Sequence, residues 1–239
     1  MKSIKPHMET MPEAQKRLWP ALGWTTMYGF VLYGGTAIAL RCGHRASVDF
    51  DFFTDRPLDH QVIYQELKQS GTTFQVVQDE KNSLTVLTKP DDVKLSFFGG
   101  LGIGRVGAPT RTEDGMVAVA STLDLLATKL KVIMQRAEAK DYLDIAQLLR
   151  DGVSLIQGLG AARTMFGPAF APAESLRALT FFDDGDLATI DDAVRQVLRR
   201  EAAAASRQHP IPTIQIKSRR LNAESMPRKP DRERGDLER

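Results

Sequence analysis

Apolar and polar positions follow two different rhythms along this chain, a period of two through much of the first half and helical spacing through the second. Pro12 to Leu22 reads as a short amphipathic helix and Phe30 to Tyr33 as a brief apolar strand. Gly34-Gly35 breaks that strand, and Thr36 is placed to cap a helix that continues from Ala37 to Arg41 and stops at Gly43. Ser47 to Phe53 reads as a strand with period-two alternation, with Val48, Phe50 and Phe52 on one face and Ser47, Asp49 and Asp51 on the other. Leu58 to Gln69 has helical spacing and ends at Ser70-Gly71. Three β-like runs follow, Thr73 to Val77, Ser83 to Thr88 and Val93 to Phe98, with turn chemistry at Asn82 and Asp91-Asp92. Met116 to Ala120 is either another strand or an extended approach to the next helix.

From Leu123 the spacing stays helical: Leu123 to Ala137, Lys140 to Arg150, Ser154 to Phe166, Ala173 to Leu179 and Leu187 to Ala205. Strands with a few helices, then a run of helices, predict an α+β domain over residues 1–118 and a helical one over 119–205, divided near Gly115 to Thr122.

Charge refines this organisation. The net charge of +2 conceals a C-terminal stretch from Ser206 with nine Lys/Arg and five Asp/Glu, so the remainder of the chain is slightly acidic. Residues 206–239 are expected to form a disordered charged tail, and the folded part is not a generally basic nucleic-acid binder. The hydrophobic content of 42% and charged content of 26% are ordinary for a soluble globular protein. The single cysteine, Cys42, excludes an intramolecular disulfide and is expected to be buried and inert. No stretch approaches the roughly 20 apolar residues of a membrane span, and Met1 to Pro20 has no apolar core of signal-peptide length, so the expected location is the cytoplasm.

Candidate chemistry concentrates between Tyr33 and Phe53. Asp49 and Asp51 are two apart in a strand, so both carboxylates project from one face about 7 Å apart at the backbone. Two such carboxylates repel unless a cation lies between them, and a hard divalent ion, Mg²⁺ or Mn²⁺, suits them. Gly34-Gly35 ahead of a helix allows close backbone approach, and a helix N-terminus offers free N–H groups to phosphate, which makes Gly34, Gly35 and Thr36 candidate phosphate-binding residues. A phosphate cradle followed by a metal-binding strand suits nucleotidyl transfer from an NTP. Ser47, on the carboxylate face, could donate to a triphosphate oxygen, while His44 and Arg45 in the preceding loop would shape it or meet phosphate.

Gly-Gly-Thr-Ala followed by Gly-His-Arg-x-Ser-x-Asp-Phe-Asp-Phe-Phe resembles the AbiEii/AbiGii-type nucleotidyltransferase toxin family, within the DNA polymerase β-like superfamily. A second block, Asp124-Leu-Leu-Ala-Thr-Lys129, then Arg136, then Lys140-Asp141-Tyr142-Leu143-Asp144, is similar to that family's later motif. The resemblance covers about Phe30 to Leu149 and implies a small mixed sheet with flanking helices, followed by a helical domain that contributes Lys129 and Asp141. It implies Ser47, Asp49, Lys129 and Asp141 as the essential set, supported by Asp51 and Asp144, with Asp49 and Asp51 as metal ligands. Lys129 would neutralise phosphate charge, and Arg136, seven residues on, would share its helix face. Asp141 would act as a general base or orient Lys129, with Asp144 one turn beyond it.

Similar toxins add nucleotides to tRNA 3′ ends and are paired with an antitoxin from the same operon, so an RNA acceptor, an NTP and an antitoxin are the implied partners. One departure stands out. Many polymerase β-like enzymes carry a third carboxylate on a neighbouring strand, and the corresponding strand here, Val93 to Phe98, offers Lys94 and Ser96 instead. Two alternatives stay open: transfer to a small molecule or protein, because the catalytic strand does not encode the acceptor, and a catalytically silent binding module, because the third carboxylate is missing.

Overall fold

The computed structural model describes residues 3–208 and 210–222. In chain order the elements are β1 (Ser3–Ile4), α1 (Glu13–Leu18), α2 (Trp24–Met27), β2 (Val31–Tyr33), α3 (Gly34–Cys42), β3 (Asp49–Phe53), α4 (His60–Gln69), β4 (Thr73–Glu80), β5 (Ser83–Lys89), β6 (Lys94–Phe98), β7 (Thr110–Thr112) and β8 (Ala118–Val119). Five helices follow, α5 (Thr122–Val132), α6 (Ala139–Arg150), α7 (Leu155–Phe166), α8 (Pro172–Thr180) and α9 (Asp192–Arg207). The architecture is mixed α+β. Among the described residues, eight strands form one mixed sheet in the order β1-β7-β8-β2-β3-β6-β5-β4.

The sheet is larger than the sequence pattern predicts because β1 and β7 are two or three residues long, too short to show alternation, while β8 falls inside the run Met116 to Ala120. β3 lies near the centre, antiparallel to β2 and parallel to β6. Phe50 and Phe52 are wholly buried behind it, where Phe52 stacks on Phe97 of β6 at 5.5 Å between ring centroids. Each such side chain contributes about 1.5–3 kcal/mol on burial, which fixes the strand whose other face carries Asp49 and Asp51. Val48, expected beside the phenylalanines, is 59% exposed, since the strand begins only at Asp49.

The helix after β2 begins earlier than its pattern suggests. α3 starts at Gly34, with Tyr33 at the cap position and no side-chain cap. The Thr36 hydroxyl does not cap the helix; its one hydrogen is shared between the Ser47 hydroxyl and the Asp49 carbonyl, so it ties α3 to the start of β3. Gly43 closes the helix in the left-handed conformation, φ 66°. α5 is shorter than its apolar pattern, ending at Val132, because residues from Ile133 turn towards α6. Arg136 therefore lies beyond that helix rather than on its face.

α3 packs against both α5 and α6, and a single connected hydrophobic cluster runs from Met11 to Leu221. The boundary expected near Gly115 to Thr122 falls within this continuous core, where β8 pairs with β2 immediately before α5. The tail expected to be disordered from Ser206 is ordered over its first part. Ser206 and Arg207 complete α9, and residues 210–222 run back across the body. Three apolar residues among the charges explain this: Ile211 and Ile214 pack on the core, and Leu221 is wholly buried. The remainder of that expected tail, residues 223–239, lies outside the described residues. No helix among the described residues is long and apolar enough to cross a membrane.

Candidate active site

Parallel pairing sets Asp49 beside Lys94 and Asp51 beside Ser96, on neighbouring strands and one sheet face. Lys94 Nζ lies 2.9 Å from Asp49 Oδ2. Asp51 forms no salt bridge among the described residues, and burial followed by the charge of Asp49 raises its pKa above the usual carboxylate value. Lys94, Lys129 and Arg136 oppose that rise, so both cations of the second motif block act on the Asp-x-Asp strand.

The N-terminus of α3 adjoins these carboxylates. Gly34 holds φ +71°, and a β-carbon there would overlap the Asp51 carboxylate. A β-carbon on Gly35 would crowd the Arg45 guanidinium and the Ser47 hydroxyl. The two glycines thus leave room for three functional side chains, while the first N–H groups of α3 lack helical partners. Ser47 just precedes β3 and accepts a hydrogen bond from Thr36, 2.9 Å away.

Beneath this lies a buried ion cluster built from α5, α6 and the loop before β3. Lys129 Nζ stands 2.6 Å from Asp141 Oδ1 and 2.6 Å from Asp144 Oδ2. Arg136 donates to Asp141 through Nε at 2.9 Å. Arg45 grips Asp144 with two bonds, 2.7 Å from Nε and 2.8 Å from Nη2, and His44 Nε2 lies 2.8 Å from the same carboxylate. Asp141 and Asp144 are both 0% exposed. Burial acts to raise the Asp141 pKa, but Lys129 and Arg136 outweigh it and hold it below the ordinary value. Asp144 is held lower still, because His44, Lys129 and Arg45 together overcome its burial.

The placements bear unequally on the roles foreseen. Asp49, Asp51, Ser47, Gly34 and Gly35 meet at one face, with Lys129 and Arg136 close enough to influence Asp51. Asp141 and Asp144, by contrast, are enclosed. The oxygens of Asp141 are occupied by Lys129 and Arg136. Arg45, foreseen as a phosphate ligand, has Nε and Nη2 on Asp144 and Nη1 on the Ala46 carbonyl. Sequence reasoning missed the Lys94–Asp49 pair and the bond from His44 to Asp144. The first was legible only as a same-face position, and the second bridges residues 100 apart in sequence. Cys42 is half-buried, and burial with the neighbouring Asp151 pushes its thiol up to about 12, which leaves it unreactive.

Two carboxylates thus stand on one strand beside a glycine-opened helix, backed by an ordered set of cations. The chain belongs to the family described as nucleotidyl transferase AbiEii toxin, type IV toxin–antitoxin system, whose model matches residues 26–234. An uncharacterized protein of Aquifex aeolicus (strain VF5) is 32% identical over 123 residues, 51% of this chain. The match spans 58% of that relative's length. Among solved structures, the nucleotidyltransferase toxin MenT4 (Rv2826c) of Mycobacterium tuberculosis H37Rv is 16% identical, with 80% of this chain and 89% of that one covered at a TM-score of 0.46. The Megavirus polyadenylate synthase is 12% identical, with 57% and 31% covered at a TM-score of 0.43.

Proposed function

We propose that this chain is a metal-dependent nucleotidyltransferase, the toxin of a toxin–antitoxin pair, which acts in the cytoplasm and transfers a nucleotide from an NTP to RNA, with tRNA 3′ ends as the acceptor. The observation that carries the reading is Asp51: a mostly buried, unpaired carboxylate beside Asp49 and under the N-terminus of α3, where a divalent cation and a triphosphate meet their complementary charges. Among the described residues no cluster of three metal-ligating side chains occurs. Two carboxylates fit Mg²⁺ or Mn²⁺, which takes its remaining ligands from phosphate oxygens and water. When bound, the ion would supply charge neutralisation on the triphosphate and lower the barrier to attack by an acceptor hydroxyl.

The chain's own residues would then divide the remaining work. Gly34, Gly35 and the first N–H groups of α3 receive phosphate oxygens. Ser47 donates to one of them. Arg136, whose side chain is 46% exposed, presents charge to the triphosphate, and Lys129 holds a positive field at Asp51 from below. Asp141 and Asp144 are positioning residues that keep Lys129, Arg136 and Arg45 in place. The antitoxin is the partner that the family description implies, and the RNA acceptor rests on the family resemblance alone.

The test is transfer of label from each of the four α-³²P NTPs to total tRNA with Mg²⁺, wild type beside Asp49→Ala. Label on tRNA with the wild type only is the expected result. Label on another acceptor would keep the enzyme class and replace the substrate. A second reading, a silent binding module, is favoured by Ser96 standing beside Asp51 where a further carboxylate would serve. It predicts no Mg²⁺-dependent binding of NTP and no transfer to any acceptor.

A further inference from the structure

Two carboxylates stand at this face and two in the ion cluster beneath it, and three of the four have a cation in contact. Asp141 has Lys129 and Arg136, Asp144 has Lys129 and Arg45, and Asp49 has Lys94. Only Asp51 forms no ion pair among the described residues. The missing positive charge is therefore local to one carboxylate.

The neighbouring strand makes this asymmetry permanent. β6 runs parallel to β3 in register, so Lys94 and Ser96 share the carboxylate face. Ser96 is buried and neutral, and it leaves the space beside Asp51 without competing charge. Lys94 is partly exposed and reaches the outer oxygen of Asp49. A second divalent ion bridging from Asp49 would have to displace that ammonium or lie beside it. The ammonium already neutralises one of the two carboxylates, so a second divalent ion there would meet like-charge repulsion and find one fewer free protein oxygen.

We propose that Lys94 is a built-in cation of this site: it holds Asp49 Oδ2 in place of a second divalent ion, so that the Asp-x-Asp pair takes one divalent ion, centred on Asp51. This deepens the nucleotidyl-transfer reading and rests on it for the assignment of Asp49 and Asp51 as ligands. Lys94 acts here as a positioning residue, through Asp49. An ammonium exchanges one strong ligand oxygen for an ion pair, lowers the charge available to a metal, and keeps Asp49 oriented before the metal arrives.

The experiment is Mn²⁺ binding counted by electron paramagnetic resonance, on the full chain with a non-hydrolysable NTP analogue. The wild type is expected to take one Mn²⁺. Lys94→Met keeps the aliphatic stem and removes the charge, and it is expected to bind that ion about tenfold more tightly. Lys94→Arg should bind like the wild type. A gain in metal affinity is not a consequence of structural damage, which separates this role from a packing one. Two Mn²⁺ in the wild type, or unchanged or weaker binding in Lys94→Met, would overturn the proposal. Asp51→Asn in the same assay reports separately on the underlying reading. Loss of the ion supports Asp51 as the ligand, and full retention overturns the metal assignment whatever Lys94 does.

Discussion

Asp51 leans over Gly34 so closely that the glycine's missing side chain is part of the site: a β-carbon on Gly34 would overlap the Asp51 carboxylate. Gly34 also holds a left-handed backbone, φ +71°, at the first residue of α3. Gly34→Ala therefore meets two costs. The left-handed conformation costs an alanine about 1–2 kcal/mol, and the carboxylate must swing away from the position where it adjoins the helix N-terminus. The expected outcome is a chain that still folds, with a lower melting temperature and transfer activity reduced at least tenfold. Thermal melts and label transfer check it. Wild-type activity in this variant would show that the close approach is incidental.

Asp144 carries a different kind of dependence. It is wholly enclosed between Arg45, His44 and Lys129, so Asp144→Asn leaves Lys129 and Arg45 with too little negative charge in a dry setting. Removing one partner of a buried ion pair costs about 3–5 kcal/mol. The pH dependence has a definite sign. The folded carboxyl titrates below its unfolded value, so its stabilising contribution is fully present above the unfolded pKa, about 4, and is lost as pH falls from there towards the folded pKa. Asp141, also lowered, adds to the same limb. Urea midpoints of wild type and Asp144→Asn should therefore differ widely at pH 7 and converge on acidification below about pH 4. A gap that stays constant through that range would remove the ion cluster from the account of acid stability.

Much of this site was readable in the sequence because its parts are local. Phe50 and Phe52 alternate with Asp49 and Asp51 over four residues, and a period of two suffices to put the carboxylates on one face. Gly34-Gly35 marks a break whatever surrounds it. The ends of elements were less legible. Val48 continues the alternation yet stands outside the strand, and the α5 pattern runs past Val132 into a turn, because apolar residues in the turn also meet the core. What the sequence withheld are relations across distance. Asp141 and Asp144 read in the sequence only as two acidic residues one turn apart at the start of a helix, and only packing of α6 against α3 and α5 makes them the enclosed centre of an ion cluster. Lys94 was visible as an absence of a carboxylate, and only the β3–β6 register shows that it supplies a charge.

Asp51 should behave oppositely to Asp144 in stability. Burial and Asp49 raise its folded pKa, so its ionised form is disfavoured above that pKa, and the folded state gains stability as pH falls through it. Asp51→Asn removes the charge and keeps the shape. It is expected to raise the melting temperature at pH 7 in the absence of metal, by roughly 2–4 °C for each kcal/mol of relieved repulsion, and to abolish transfer. Added Mg²⁺ should stabilise the wild type and leave the variant unmoved. Melts with and without Mg²⁺ at pH 7 decide the point, and a variant less stable than metal-free wild type would show that Asp51 is structural.

The segment after α9 gives a test far from the chemistry. Residues 210–222 cross α7, where the Ile214 carbonyl accepts from Thr164 at 2.7 Å and the Ile211 carbonyl accepts from Arg163 at 3.2 Å. Ser218 then bridges to Arg105, and the Leu221 N–H donates to Asp55 at 2.9 Å as its side chain enters the core. This strap thus joins the helical half to the loop after β3. Leu221→Ala should cost about 2–5 kcal/mol, as burial is lost and a cavity left. Gly160 of α7 offers the sharper variant. Alanine there improves helix propensity by about 1 kcal/mol, but its β-carbon would overlap the backbone carbonyl of Pro212, which cannot turn aside as a side chain can. If the strap is seated as described, Gly160→Ala is destabilising despite the better propensity, and it lifts the segment off α7. Lys217, Arg219 and Arg220 then become cleavable, so brief trypsin treatment should remove the C-terminus faster from Gly160→Ala and Leu221→Ala than from the wild type. Equal cleavage rates in all three proteins would mean that the strap leaves the surface readily in the wild type, and that its contacts contribute little to holding the two halves together.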